Sequence, residues 1–189
     1  MITFLKEPYK EENIIKILNP LVRTWFFSKF KNFSEPQKYG VLEIHNRNNI
    51  LISAPTGGTK TLTSFLSIIN ELVNLAEKNE LQDRVYCVYT SPLKSLNNDI
   101  FENLMKPLDD IKKLAKEQGK ELNIRIAVRT GDTSTSEKQK MLKKVPHVLI
   151  TTPESLAIVL SSHKFIELLK NVEWCVVDEI HALAENIFS

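Results

Sequence analysis

Five short apolar runs recur along this chain, separated by stretches of helical periodicity, and that alternation limits the folds open to it. The runs are residues 50–54, 84–89, 123–128, 148–151 and 172–177. Between and before them, apolar residues fall at helical spacing: residues 11–18, a segment from Pro20 through Trp25, Phe26 and Phe27 to Phe30, and residues 60–78 with Leu62, Phe65, Leu66, Ile69 and Leu72 on one face. Residues 93–118, 153–160 and 165–169 read the same way. Ser34, followed by Glu35 and Pro36, is an N-cap signal for a helix reaching about Ile44. Apolar strands alternating with helices predict an α/β protein with a parallel sheet covered by helices on both faces. An N-terminal helical extension is expected over residues 1–34, before a domain spanning 35–189. In such sheets ligands bind beyond the carboxyl ends of the strands. The residues following Ala54, Tyr89, Val128, Ile150 and Val177 are therefore where chemistry is sought.

Composition is that of an ordinary globular protein: 189 residues, 42% hydrophobic and 25% charged, with a net charge of +2 that neither requires nor excludes a polyanionic partner. No run approaches the roughly 18 apolar residues of a membrane span, and the first residues turn charged too soon for a signal peptide. Cys87 and Cys175 have no partners at metal-ligand spacing and are expected to be reduced core residues of a cytoplasmic protein. The lysines between Lys106 and Lys144 are interspersed with acids and read as a solvated face.

The first strand runs into Ala54-Pro55-Thr56-Gly57-Gly58-Thr59-Lys60-Thr61. A phosphate-binding loop needs backbone N–H groups converging at a helix N-terminus, a lysine for charge and a hydroxyl for magnesium. Lys60 and Thr61 stand where the lysine and hydroxyl belong. Thr59 departs from the usual glycine, and a β-branched residue resists positive φ and holds the backbone away from a ligand. Taken alone, these residues also fit a plain strand-to-helix turn. The last strand runs into Asp178-Glu179-Ile180-His181. An aspartate at a buried strand end can hold magnesium, usually through water, and a neighbouring glutamate can polarise the water that attacks a γ-phosphate. A lone acidic pair would also suit an ordinary polar strand end. Both parts together, each at a strand end of one sheet, point to ATP and Mg2+.

Three further strings follow strands: Ser91-Pro92-Leu93-Lys94-Ser95-Leu96-Asn97-Asn98-Asp99, Val128-Arg129-Thr130-Gly131-Asp132-Thr133 and Thr151-Thr152-Pro153-Glu154-Ser155-Leu156. With the Asp178-Glu179-Ile180-His181 box and Phe33-Ser34-Glu35-Pro36-Gln37, their order resembles the Lhr (large helicase-related) family of superfamily 2 DExH-box helicases, over about residues 21–184. The resemblance implies a RecA-like P-loop domain, the first of two such lobes. It implies that Gln37 reads the adenine edge and that Ala54, Pro55, Thr56, Gly57, Gly58, Thr59, Lys60 and Thr61 cradle phosphates. Thr61 and Asp178 would hold the metal, with Lys60, Asp178 and Glu179 as the catalytic set and His181 coupling to the second lobe. Pro92, Leu93, Lys94, Arg129, Thr130, Gly131, Thr152, Pro153 and Glu154 would grip one nucleic-acid strand by its backbone, as a motor indifferent to sequence requires.

Each assignment has a plainer counterpart. Gln37 could be an exposed helix residue, and Arg129 a surface charge at a strand end. Thr152-Pro153 could be a helix start, which is itself compatible with phosphate binding. Trp25, Phe26, Phe27, Phe30 and Trp174 read as packing, and His45, His147 and His163 as ordinary. The implied activity is ATP-dependent translocation on single-stranded DNA, with RNA as an alternative substrate. A non-catalytic nucleic-acid-binding or regulatory fragment with an impaired loop is one rival, and a small P-loop kinase another. Eight residues follow His181. A second RecA-like lobe with its arginine fingers is expected elsewhere in a longer protein, and these residues alone are expected to hydrolyse ATP poorly.

Overall fold

The computed structural model describes residues 2–54, 59–92 and 98–181. Pro55, Thr56, Gly57, Gly58, Leu93 and Lys94, among the residues singled out above, lie outside the described residues. The chain forms two compact units, one of residues 1–80 with 99–122, the other of residues 81–98 with 123–189.

The first unit is helical. Helices α1 (Glu11–Ile17), α2 (Pro20–Lys29), α3 (Glu35–His45) and α4 (Thr59–Glu77) follow one another. Asn19 caps α2, its side chain accepting from the Leu21 N–H, and Pro20 supplies the fixed φ suited to a first turn. Helix α3 packs on α4, and α2 on both α4 and α6 (Lys106–Glu117). Phe26 and Phe33 stack at 4.5 Å between ring centroids, with Trp25, Phe27 and Phe30 edge-on or tilted around Phe26. Trp25, Phe26 and Phe33 are buried, which fits packing. A polar chain ties the N-terminal helices to α4. The Asn19 N–H donates to Asn70 Oδ1 at 2.6 Å, and Asn70 Nδ2 donates to the Ile17 carbonyl at 3.0 Å. Asn19 Nδ2 donates to Asn74 Oδ1 and Glu77 Oε2. Because Asn19 and Asn70 are buried, each of these bonds avoids a desolvation cost of about 1–3 kcal/mol.

The helix expected from residue 93 is seen from Asn98, as α5 (Asn98–Ile100), a π-helical turn (Phe101–Met105) and α6. Pro107, in the first turn of α6, has no N–H to donate and its ring crowds the carbonyl four residues back, which accounts for the widened turn ahead of it.

The second unit holds a four-stranded, all-parallel sheet: β1 (Cys87–Thr90), β2 (Ile126–Arg129), β3 (Val148–Thr151) and β4 (Trp174–Val177), in the order β2-β3-β1-β4. Helices α7 (Thr135–Lys143), α8 (Pro153–Leu160) and α9 (His163–Leu169) accompany it. Val88 and Leu149, on one face, form a core with Val85 and Val145 against Leu156 of α8 and Leu168 and Leu169 of α9. On the opposite face Cys87, Tyr89, Val148 and Ile150 are equally buried. Burial pushes the Cys87 thiol far above its usual range, so it is an inert core group.

The α/β class and the parallel sheet are as the alternation predicts. The strand count is not: residues 50–54 enter no ladder, so four strands are formed among the described residues. Leu51 is 79% exposed, while Ile52 lies against Gly40 of α3. The run half-buries Ile50, Ile52 and Ala54 and exposes Leu51 and Ser53, instead of the burial on both faces expected of a central parallel strand. Cys175 is exposed on β4 rather than in the core. Helix α7 was not legible from apolar spacing, although Ser134 and Glu137 form a capping box that marks its start.

A Cβ added at Gly40 would stand 2.7 Å from both Ile52 Cδ1 and Thr63 Cγ2. Thr63 is fully buried, so the clash cannot be relieved into solvent. Gly40→Ala is expected to lower stability by about 1–3 kcal/mol in urea titration; an unchanged midpoint would show that α3 and α4 separate freely.

Candidate nucleotide and nucleic-acid site

In the first unit, residues 50–54 lead toward the α4 N-terminus. Thr59 opens α4 with a helical backbone, and the non-glycine residues at positive φ among those described are Arg47, Asn79 and Glu179. Thr59 thus occupies a conformation that any L-residue adopts, which removes the objection from positive φ. Its carbonyl accepts from Thr63 Oγ1 at 2.6 Å, within the first turn. Lys60 folds back so that Nζ donates to the Ala54 carbonyl at 2.8 Å. Its ammonium is held beside the last residue of the apolar run. Thr61 is buried at 8% exposure. Gln37 is buried rather than exposed, and its Oε1 accepts from the Ser34 N–H at 2.8 Å, closing the first turn of α3.

In the second unit, the parallel register sets Arg129, Thr151, Thr90 and Val177 side by side at the carboxyl ends of four strands. The Asp178 N–H donates to the Thr90 carbonyl at 2.9 Å and so extends the β4 ladder by one residue. The Asp178 carboxylate accepts from the Tyr89 hydroxyl at 2.7 Å through Oδ2 and from the Glu179 N–H at 2.9 Å through Oδ1. Glu179 then turns the chain at φ 53°. The left-handed region costs a non-glycine residue about 1 kcal/mol or more, strain of the kind that functional sites retain. Glu179 Oε2 lies 3.1 Å from Nε2 of the exposed His181.

On the adjoining strands, Arg129 is 5% exposed. Its guanidinium lies 3.8 Å above the Phe165 ring, and burial lowers its pKa. Phe165 packs in turn with Met141 and Val159. Arg129 is therefore no surface charge, and its Nη1 has no hydrogen-bond partner among the described residues. Thr130 begins a tight turn, its N–H donating to Thr133 Oγ1. Nothing lies within 4 Å of a Cβ built on Gly131. Thr152 caps α8, with Oγ1 accepting from the Ser155 N–H at 3.3 Å, and Pro153 and Glu154 form its first turn. The helix-start reading of these residues is correct. Ser91 and Pro92 continue from β1, the Ser91 N–H donating to the Thr151 carbonyl.

The structure thus gathers Asp178, Glu179 and His181 at one strand end, and Arg129 beside Thr151 and Thr152 at two others. Lys60, Thr61 and Gln37 belong to the first unit. Tyr89 and Phe165 were missed as supporting residues. Tyr89 lies near a strand end with no local signal of a polar partner, and Phe165 lies far along the chain from the arginine it supports.

The parallel sheet with its flanking helices is a RecA-like α/β fold, which the solved helicase structures share. The structure of Mycobacterium smegmatis helicase Lhr bound to ssDNA and AMP-PNP superposes with a TM-score of 0.77 at 38% identity, covering 88% of this chain and 21% of that one. The DEAD-box helicase Mss116 bound to ssRNA and UDP-BeF shares the fold, with a TM-score of 0.72 at 23% identity, covering 96% of this chain and 35% of that one. The DEAD/DEAH box helicase profile matches residues 34–189, and the chain belongs to that family. Within it, the ATP-dependent helicase Lhr-Core protein 2 of Thermococcus barophilus is 56% identical over 98% of this chain and 22% of its own length. The Lhr resemblance of the motif strings is matched by these relatives. The chain spans about a fifth of the length of the curated relatives it matches. Among the described residues no helix is long and apolar enough to cross a membrane.

Two outcomes follow from the local geometry. Because Thr59 is already helical, Thr59→Gly should leave the dissociation constant of a fluorescent ATP analogue within about twofold while costing only about 0.3 kcal/mol of stability; a large gain in affinity would show that threonine obstructs the ligand. Because Gly131 faces open space, Gly131→Ala should keep the wild-type melting temperature. Any loss of single-strand affinity in that variant would then report a close backbone approach, and loss of the fold would refute the open-space reading.

Proposed function

We propose that this chain is the nucleotide-binding lobe of an Lhr-type, ATP-dependent helicase, in which ATP hydrolysis drives movement along single-stranded DNA. A second RecA-like lobe of the same polypeptide completes the motor and supplies the transition-state arginines. The observation that carries the reading is the Asp178-Glu179 pair, held at the end of the parallel strand β4 with both Asp178 oxygens hydrogen-bonded and Glu179 in a left-handed turn.

Magnesium takes hard oxygen ligands and usually rides on the nucleotide with one or two protein donors. The Thr61 hydroxyl and the Asp178 carboxylate fit that donor set. Among the described residues there is no cluster of three or more His, Cys, Asp and Glu side chains of the kind that cages a metal on protein ligands alone. When bound, the ion neutralises charge on the phosphates. The Lys60 ammonium and the backbone N–H groups opening α4 attract the phosphates, with Ala54 to Thr61 as the cradle. Gln37, buried at the start of α3, reads the adenine edge. Glu179 accepts the proton of the attacking water, and its contact with His181 links that step to the second lobe. Pro92, Leu93, Lys94, Arg129, Thr130, Gly131, Thr152, Pro153 and Glu154 follow the nucleic-acid backbone. Arg129 and the N-terminus of α8 are among its phosphate-attracting groups. DNA is favoured because the Lhr relative at 38% identity was captured with ssDNA. A cytoplasmic enzyme is the matching location.

The test is a pair of substitutions in the full-length protein. Lys60→Ala should abolish measurable binding of an ATP analogue. Glu179→Gln should bind it normally while DNA-stimulated ATPase falls by about 100-fold or more. Equal rates for Glu179→Gln and wild type would remove Glu179 from the mechanism. Absence of nucleotide binding in the wild type would instead favour a non-catalytic nucleic-acid-binding module, and stimulation by RNA alone would reassign the substrate.

A further inference from the structure

Tyr89 is fully buried in β1, and its register partner on β4 is Val176. Side chains on a strand alternate between faces, so Asp178, two residues beyond Val176, is the diagonal neighbour on the same side. That diagonal is within reach of an aromatic ring. The phenol crosses it and donates to Asp178 Oδ2 at 2.7 Å. A buried tyrosine hydroxyl needs a partner, and here the partner is the carboxylate assigned to the metal. The other oxygen, Oδ1, accepts from the Glu179 N–H. With a donor to each oxygen, the carboxylate plane is held from two directions. A bond from a neutral phenol to an ionised carboxylate is of the stronger, charge-assisted kind.

The same strand has a second role. Two residues after Tyr89, β1 gives way to Ser91 and Pro92, the start of a segment that the functional reading places on nucleic acid. The Thr90 carbonyl between them accepts from the Asp178 N–H, and the Ser91 N–H donates to the Thr151 carbonyl. Tyr89 and Thr90 therefore carry the side-chain and backbone clamps on Asp178, two residues ahead of Pro92, where the segment placed on nucleic acid begins.

We infer that Tyr89 is a positioning residue for Asp178, fixing its carboxylate for the magnesium of a bound nucleotide and tying that carboxylate to the end of β1. This rests on the functional reading above. Tyr89 touches neither substrate nor metal; it acts through Asp178.

Tyr89→Phe removes the hydroxyl and keeps the ring. Fluorescence titration of the full-length protein with a labelled ADP analogue, in excess Mg2+ and in EDTA, isolates the magnesium-dependent gain in affinity without any catalytic readout. In Tyr89→Phe that gain should shrink by about tenfold, the scale of a hydrogen bond to a charged group, with EDTA affinity unchanged and circular dichroism as in the wild type. In an Asp178→Asn background, adding Tyr89→Phe should have no effect on the gain. A wild-type magnesium gain in Tyr89→Phe would overturn the proposal. So would an equal loss in the Asp178→Asn background, because the effect would then not pass through Asp178. No magnesium gain in the wild type would overturn both the proposal and the functional reading, which separates that outcome from failure of Tyr89 alone.

Discussion

The parallel ladder of the second unit is the constraint on which its candidate chemistry depends. Its register brings Arg129, Thr151, Thr90 and Val177 to one level, so four separate segments end together. A parallel pair cannot be closed by a tight hairpin, so each strand must be reached by a crossover, and the residues leaving its carboxyl end are free to serve a ligand. The core beneath the row, Val88 and Leu149 with Leu156, Leu168 and Leu169, holds the strands in that register. A shift of one residue would send Thr90 and Arg129 to the opposite face. It would also break the Asp178 N–H to Thr90 carbonyl bond and part the Tyr89 hydroxyl from the carboxylate. Apolar packing thus fixes where the polar groups stand.

Burial gives those groups their character. Arg129 rests on an aromatic ring with little access to water, a setting that costs solvation and strengthens any phosphate contact. Asp178 is restrained through both oxygens. Glu179 is held in a backbone conformation that its side chain does not favour, and it pairs with the exposed His181. The first unit works by similar means, with Asn19 and Asn70 bonded inside the helical core and Lys60 turned back on Ala54. In both units, hydrogen bonds to neighbouring residues place the groups named for chemistry.

Much of this was legible in the sequence because it rests on local signals. The run of apolar segments pointed to the α/β class, proline and cap residues marked the starts of α2, α3 and α8, and the acidic pair stood directly after a strand. What escaped depends on contacts distant in sequence. Residues 50–54 have a strand's composition, yet Ile52 is used against Gly40, which no periodicity reveals. Thr59 looked unfavourable because its backbone was judged by analogy with a glycine position, while the chain makes it the first residue of a helix. The alternative of a surface charge at Arg129 fails because of Phe165, which comes much later in the chain. Tyr89 gave no sign of its bond to Asp178, since strand alternation tells which side a residue faces and not what waits there. Helix α7 is the exception: its Ser134–Glu137 box was local and readable, but its apolar face is a single buried residue, Met141.

The central claim is that the acidic pair at the end of β4 serves a magnesium-dependent nucleotide site. Hydrogen–deuterium exchange of the full-length protein, measured across a titration with AMP-PNP in Mg2+ and in EDTA, tests it directly. Protection of the amides at residues 178–181 that rises with the nucleotide and requires Mg2+ is the predicted result. Unchanged exchange at residues 178–181 under saturating Mg2+ and AMP-PNP would contradict it.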